Sequence, residues 1–137
     1  MRGLKIIMSM RKIRDAKPAN SEDTTGFKNL LKRAMTEMLV LLILNDGQMY
    51  TYEMMISLER RSKGYLTFNT LYIAIYRLKE LLFIEESGKT RSDENRTRVY
   101  FSITDAGRRY LNNLIEEYGQ FSNVIEDMIS KTKRKTS

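Results

Sequence analysis

The chain has 137 residues, 42% hydrophobic and 30% charged, with a net charge of +7, a length and composition that support one domain with a modest core. It contains no cysteine and no histidine, which excludes disulfides, the usual zinc sites and the Ser-His-Asp and Cys-His nucleophiles. Phosphate-cradling glycine loops are also missing, and neighbouring carboxylates such as Glu85-Glu86 and Glu116-Glu117 diverge on a helix or strand, so neither an enzyme nor a metal or cofactor is expected.

Residues 1–27 read as a flexible basic arm: Pro18 and the polar run "ANSEDTTG" break any regular structure. The start, "MRGLKIIMSMRKIR", has an interrupted apolar patch and no small-residue cleavage site, unlike a signal peptide. The longest apolar run, "MLVLLIL" at 38–44, is far short of the roughly 20 residues that span a bilayer. A cytoplasmic location without membrane contact is therefore expected. Residues 1–17 carry a balance of +5 and the tail 131–137 carries +4, leaving −2 for the rest. Basic ends of that kind attract any polyanion, so the overall charge by itself points to no specific partner. Clustering inside the body is more informative: Arg60, Arg61, Lys63, Arg77 and Lys79 face a single acid, Glu59, over residues 59–79.

A first helix is predicted from Asn29, as N-cap, to Asn45, where "NDG" stops it. Its second half is apolar nearly all round, which implies deep burial. A second helix fits 51–62 with Thr51 as N-cap, ended by "SKG" at Gly64. A third fits 68–82. At 100° per residue, Leu71, Ala74, Ile75, Leu78 and Leu82 share its core face, while Ile73 and Tyr76 point the other way, with Asn69 beside them and Arg77 at the flank. The period then becomes two: Val99, Phe101 and Ile103 alternate with Tyr100 and Ser102. With "FIEESG" this makes a hairpin, or wing, tipped by the basic loop "KTRSDENRT". Thr104 caps a last helix that runs to about Ser130.

Three helices followed by a hairpin form a winged helix-turn-helix. The expected fold is mainly α with a small β-hairpin: a DNA-binding domain at 28–103, a long C-terminal dimerisation helix at 104–130 and a basic disordered tail at 131–137. In such folds the third helix enters the major groove and the wing lies on the backbone or minor groove. Asn69 can pair with adenine and Ile73 can meet a thymine methyl. Thr51, Tyr52, Thr67, Thr70, Tyr72, Tyr76 and Arg77 complete the expected DNA-contacting set on the helices, and Lys89, Arg91, Arg96 and Arg98 do so on the wing. The competing reading of Ile73 and Tyr76 is that they pack on another element or on a protein partner.

Four stretches resemble the PadR-like transcriptional regulators, bacterial winged-helix proteins. "AMTEMLVLLILNDGQMYTYEM" resembles their first helix and turn, with Tyr52 at the usual Tyr-Glu. "TLYIAIYRLKE" resembles their recognition helix, "LLFIEE" falls where they have Gly-Leu-Ile, and "RTRVYFSITDAGRRYL" resembles the second wing strand and the start of the last helix. The resemblance covers about residues 30–111, although its coarse layout is shared with other winged-helix regulators such as the MarR-like family. Ile73 replaces the usual proline, Leu82 the usual glycine, and Thr51 the glycine before Tyr-Glu. The resemblance implies a homodimeric repressor on an operator, with DNA contact near Thr70 and Tyr72 and with Leu71 structural. It also implies release by an aromatic or cationic small-molecule effector at the dimer interface, where Tyr110, Tyr118, Phe121 and the methionines would line an apolar site, unless they are plain core.

The last helix carries Leu111, Leu114, Tyr118, Phe121, Ile125 and Met128 at alternating steps of three and four. This heptad-like seam is the expected dimer interface, the alternative being a fold-back onto the chain's own first helix. Two other functions remain open: a winged-helix protein-interaction module, and a nonspecific DNA-binding protein driven by the basic ends.

Overall fold

The computed structural model describes residues 22–91 and 93–132. Most of the expected arm, and all of the tail beyond Thr132, lie outside the described residues. The elements run α1 (Thr25–Leu44), β1 (Met49–Tyr50), α2 (Thr51–Arg61), α3 (Tyr72–Glu80), β2 (Ile84–Arg91), β3 (Thr97–Ile103) and α4 (Asp105–Lys131). The chain divides into two units, with the division after Arg33, inside α1.

In the first unit, α1 begins at Thr25 and not at Asn29, which lies inside it. The Asp23 carboxylate accepts from the Thr25 backbone N–H at 3.0 Å and from its hydroxyl at 2.7 Å. These bonds serve one orphan donor of the helix start and hold the Asp23 carboxyl below its ordinary value. Phe27, Leu30 and Leu31 are exposed.

The second unit is built around one core. The apolar second half of α1 supplies Val40, Leu41, Ile43 and Leu44, all essentially inaccessible. Met54 and Leu58 of α2, Ala74, Ile75 and Leu78 of α3, Ile84, Phe101 and Ile103 of the sheet, and Leu111 of α4 close around them. Burying such aliphatic side chains contributes about 1.5–3 kcal/mol each. The expected hairpin is present but gains a third strand: the sheet order is β1-β3-β2, with Met49 opposite Phe101 and Tyr50 opposite Tyr100. Its two long strands reach farther than expected, to Arg91 and from Thr97, with a bulge between Glu86 and Gly88. Lys89, Thr90 and Arg91 are therefore in strand, and the tip is the short turn that Asn95 helps to close at φ +62°.

The third helix is shorter than its sequence pattern. Asn69, Thr70 and Leu71 precede it in a loop, and the Thr70 hydroxyl accepts from the Tyr72 N–H at 3.1 Å. Leu71 still fills the core. Leu82 does not: it is 72% exposed and sits at φ +62°, where helical periodicity no longer applies. The Leu82 N–H bonds Lys79 O and the Phe83 N–H bonds Leu78 O, at 3.0 and 2.9 Å. This is a Schellman stop whose left-handed position favours glycine, and a side chain there costs about 1–2 kcal/mol. Leu82→Gly is expected to stabilise the protein by about 1 kcal/mol in denaturant titration; an unchanged or lower midpoint would show that the packing of the Leu82 side chain outweighs the backbone strain.

Helix α2 has no Thr51 cap, because Thr51 is its first residue; instead the Glu53 carboxylate accepts from the Tyr50 N–H at 3.3 Å. Helix α4 is capped as expected: the Thr104 hydroxyl accepts from Gly107 N–H at 3.0 Å and donates to Leu82 O at 2.7 Å. One hydroxyl thus ties the end of α3 to the start of α4 and fixes the base of the wing.

Candidate nucleic-acid interface

Helix α3 is nine residues long because the Thr70 turn starts it and the Leu82 stop ends it. Its core face is anchored by Ala74, Ile75 and Leu78, so the opposite face must point to solvent. Tyr72, Ile73 and Tyr76 are 71%, 81% and 57% exposed, and none of the described elements covers them. The two tyrosine rings lie within 21° of parallel with centroids 6.5 Å apart, the i,i+4 spacing bringing them onto one face. Asn69 and Thr70 are exposed immediately before this face, and Thr67 is exposed in the same loop.

The wing stands beside the helix. Between them lies an open cleft of about 440 Å³, lined by Tyr72, Tyr76 and Lys79 on one side and Glu86, Arg98 and Val99 on the other, with Tyr50 and Thr51 among its remaining walls. Lys79 and Glu86 pair across it at 2.8 Å. That hydrogen bond, and next the attraction of the charges, raises the Lys79 ammonium above its ordinary value and lowers the Glu86 carboxyl below its own. Arg98 lies over the Tyr50 ring, 4.8 Å from its centre, and that ring meets Tyr100 edge-on at 5.4 Å.

Of the expected contact residues, the structure therefore gathers Thr51, Tyr72, Tyr76 and Arg98 about one cleft, with Ile73 on the neighbouring helix face. Lys89, Arg91 and Arg96 are exposed along the wing arms and tip. Tyr52 is exposed on α2, outside this cleft and beside a smaller depression lined by Met49, Glu53 and Arg60. Arg77 is different. Its guanidinium is committed to both carboxylate oxygens of Glu37 on α1, and Arg61 pairs with Asp46 at 2.8 Å. Much of the basic cluster at 59–79 is thus neutralised locally, and sequence proximity overstated the free positive charge. The roles of Tyr50, Lys79 and Glu86 were missed. Opposite charges flanking the α3–β2 turn were the only signal for the last two, and a two-residue strand gives almost none for Tyr50.

Helix α4 carries a second exposed surface. Leu111, expected in the dimer seam, is buried in the domain's own core, and Leu114 is half-buried against it. Tyr110 stacks on Phe83 at 4.3 Å and packs, half-buried, against the core. Beyond this point Tyr118, Phe121, Ile125 and Met128 are exposed, as are Ile115, Val124 and Ile129, which sequence reasoning omitted. Together they cover about half of the helix circumference at 100° per residue.

Residues 40–113, a little over half of the chain, match the family model described as the transcriptional regulator PadR-like family. The chain belongs to that family. PadR-like proteins are DNA-binding transcriptional regulators, not enzymes. Among solved structures, the chain is similar to a transcriptional regulator from Clostridium thermocellum (25% identity, TM-score 0.63), covering 71% of this chain and 95% of that one. A PadR-like transcriptional regulator from Bacillus cereus is 20% identical over 75% of this chain and 99% of the other, with a TM-score of 0.62. A PadR family regulator from Eggerthella lenta gives 22% identity, 80% and 94% coverage and a TM-score of 0.69. At these identities the likeness establishes a shared winged-helix fold. No curated protein matches the chain. Among the described residues of this PadR-like regulator there is no acidic cluster fit for a metal ion and no helix long and apolar enough to cross a membrane.

Proposed function

We propose that this regulator works as a cytoplasmic, homodimeric repressor that recognises a specific operator. Helix α3 enters the major groove with Tyr72, Ile73 and Tyr76 leading and with Asn69, Thr70, Thr67, Thr51 and Tyr52 at its approach. Lys89, Arg91, Arg96 and Arg98 set the wing on the backbone or minor groove. Residues 28–103 act as the reading domain and 104–130 as the dimerisation helix, with an aromatic or cationic effector at the paired seam weakening the complex. The observation that carries this reading is the solvent-facing surface of α3, uncovered beside a wing that exposes Lys89, Arg91, Arg96 and Arg98, in a member of a DNA-binding family.

A protein-interaction role has its own support, since Ile73 at 81% exposure between two tyrosines has the make-up of an interface hot spot. The two readings separate in one experiment: binding of the full chain to DNA from upstream of its own gene, with excess unrelated competitor, across a salt series. A discrete complex that survives competitor is expected. Arg91→Ala with Arg96→Ala should weaken it and flatten the log–log salt slope by about 0.9 for each phosphate no longer neutralised. Binding that competitor removes, or a wing variant with unaltered slope, would turn the assignment toward the basic ends or toward a protein partner.

A further inference from the structure

We propose that base readout by α3 is carried by thymine methyl groups, with Ile73 as the reading residue, an inference that rests on the operator-binding role above. Each base pair offers a distinct pattern in the major groove. Guanine is read most effectively by a free Arg or Lys on its O6 and N7, adenine by Asn or Gln, and thymine by an apolar side chain on its methyl. The outward arc of α3 supplies very little of the first kind. Arg77 is bound to Glu37 and Lys79 to Glu86. Although exposed ion pairs are weak, freeing either cation for a guanine would leave a carboxylate unpaired beside a polyanion. No Asn or Gln occurs between Tyr72 and Glu80.

What the arc does present is Ile73, the most exposed large hydrophobic side chain of the described residues, with the near-parallel rings of Tyr72 and Tyr76 beside it. Ile73 lies in the first turn of α3, the end of a recognition helix that meets base edges. Its branched side chain has no hydrogen-bonding atom, so the only major-groove feature it can recognise is a methyl. The phenols of Tyr72 and Tyr76, exposed beside it, can donate hydrogen bonds to phosphate oxygens. Asn69, exposed just ahead of the helix, offers the complementary half of an A·T pair, because its amide matches adenine. Glu80, exposed at the last turn, accepts hydrogen bonds only and is repelled by phosphate, which keeps the C-terminal end of α3 away from the backbone.

The test removes the methyl from the DNA. A randomised duplex pool is enriched on the full-length protein, and the winning sequence is made with thymine or with deoxyuridine, which differs from it only by that methyl. Each contacted thymine replaced by uracil is expected to weaken binding roughly fourfold, the worth of one buried carbon. Ile73→Ala should bind the thymine and uracil duplexes equally, while Ile73→Val keeps the discrimination; the exposure of this side chain leaves the fold intact in both. Uracil duplexes bound as tightly as thymine duplexes by the unmodified protein would overturn the inference while leaving the operator-binding role standing. A pool from which no sequence is enriched would overturn both.

Discussion

Gly107→Ala should destabilise the protein by about 3 kcal/mol and lower its melting temperature by more than about 10 °C. Alanine is the better helix former by about 1 kcal/mol, so on an open helix surface the same change stabilises. Gly107 is not on an open surface: a Cβ there would lie 2.0 Å from the Phe83 carbonyl oxygen and 2.8 Å from Ile103 Cγ1. The obstacle is backbone. Relieving it means moving either the start of α4 or the α3–β2 turn, and both are pinned by the Thr104 hydroxyl and by the Thr104 N–H bond to Phe83 O at 3.0 Å. Gly119, in the same helix, has nothing within 4 Å of its would-be Cβ and serves as the contrast. Gly119→Ala should stabilise by about 1 kcal/mol; a loss there would show instead that the glycine sits at a close crossing with another chain. Thermal melts of the two variants against the parent decide both points, and a Gly107→Ala protein as stable as the parent would mean the wing base is far softer than its hydrogen bonds imply.

The double change Phe121→Glu with Ile125→Glu should convert the protein to a monomer, raising the dimer dissociation constant more than about a thousandfold, because charge would be buried without a partner. Both side chains are exposed, at 67% and 40%, so the helical circular-dichroism signal should remain. Sedimentation velocity over a concentration series measures the effect. Operator affinity should fall with it, since a monomer reaches only one half-site. Any aromatic cation that raises the melting temperature of the parent by binding at the paired seam should lose that effect on the variant. A parent that sediments as a monomer at every concentration, or a variant that stays dimeric, would remove the seam from the proposal.

The helix-helix-helix-wing order was legible in the sequence because it depends on local periods. The apolar second half of α1, the spacing of Ala74, Ile75 and Leu78, and the alternation of Val99, Phe101 and Ile103 each record which side of an element loses water, and Thr104 marks a cap. These same apolar residues form or flank the observed core. The sequence also put Ile73 and Tyr76 on the side of α3 away from that core, where the structure has them.

Tertiary structure decided everything that depends on where a period stops or on what lies across from a charge. Helical spacing placed Leu82 with Leu78, but a left-handed turn ended the helix first and sent Leu82 to solvent. Leu111 fits the α4 seam by spacing, yet the first turns of α4 are held against the core by Thr104 and Gly107, so the exposed stripe starts only beyond Leu114. Arg77 and Lys79 count as two free cations in the sequence, but Glu37 and Glu86, 40 and 7 residues away, hold them. The physical reason is common to all three. Periodicity reports the average environment of one element, whereas a close backbone approach and an ion pair are each made by two segments whose meeting is fixed only when the chain has folded, and the turn at Leu82 is held by the Thr104 hydroxyl from the far side of the wing.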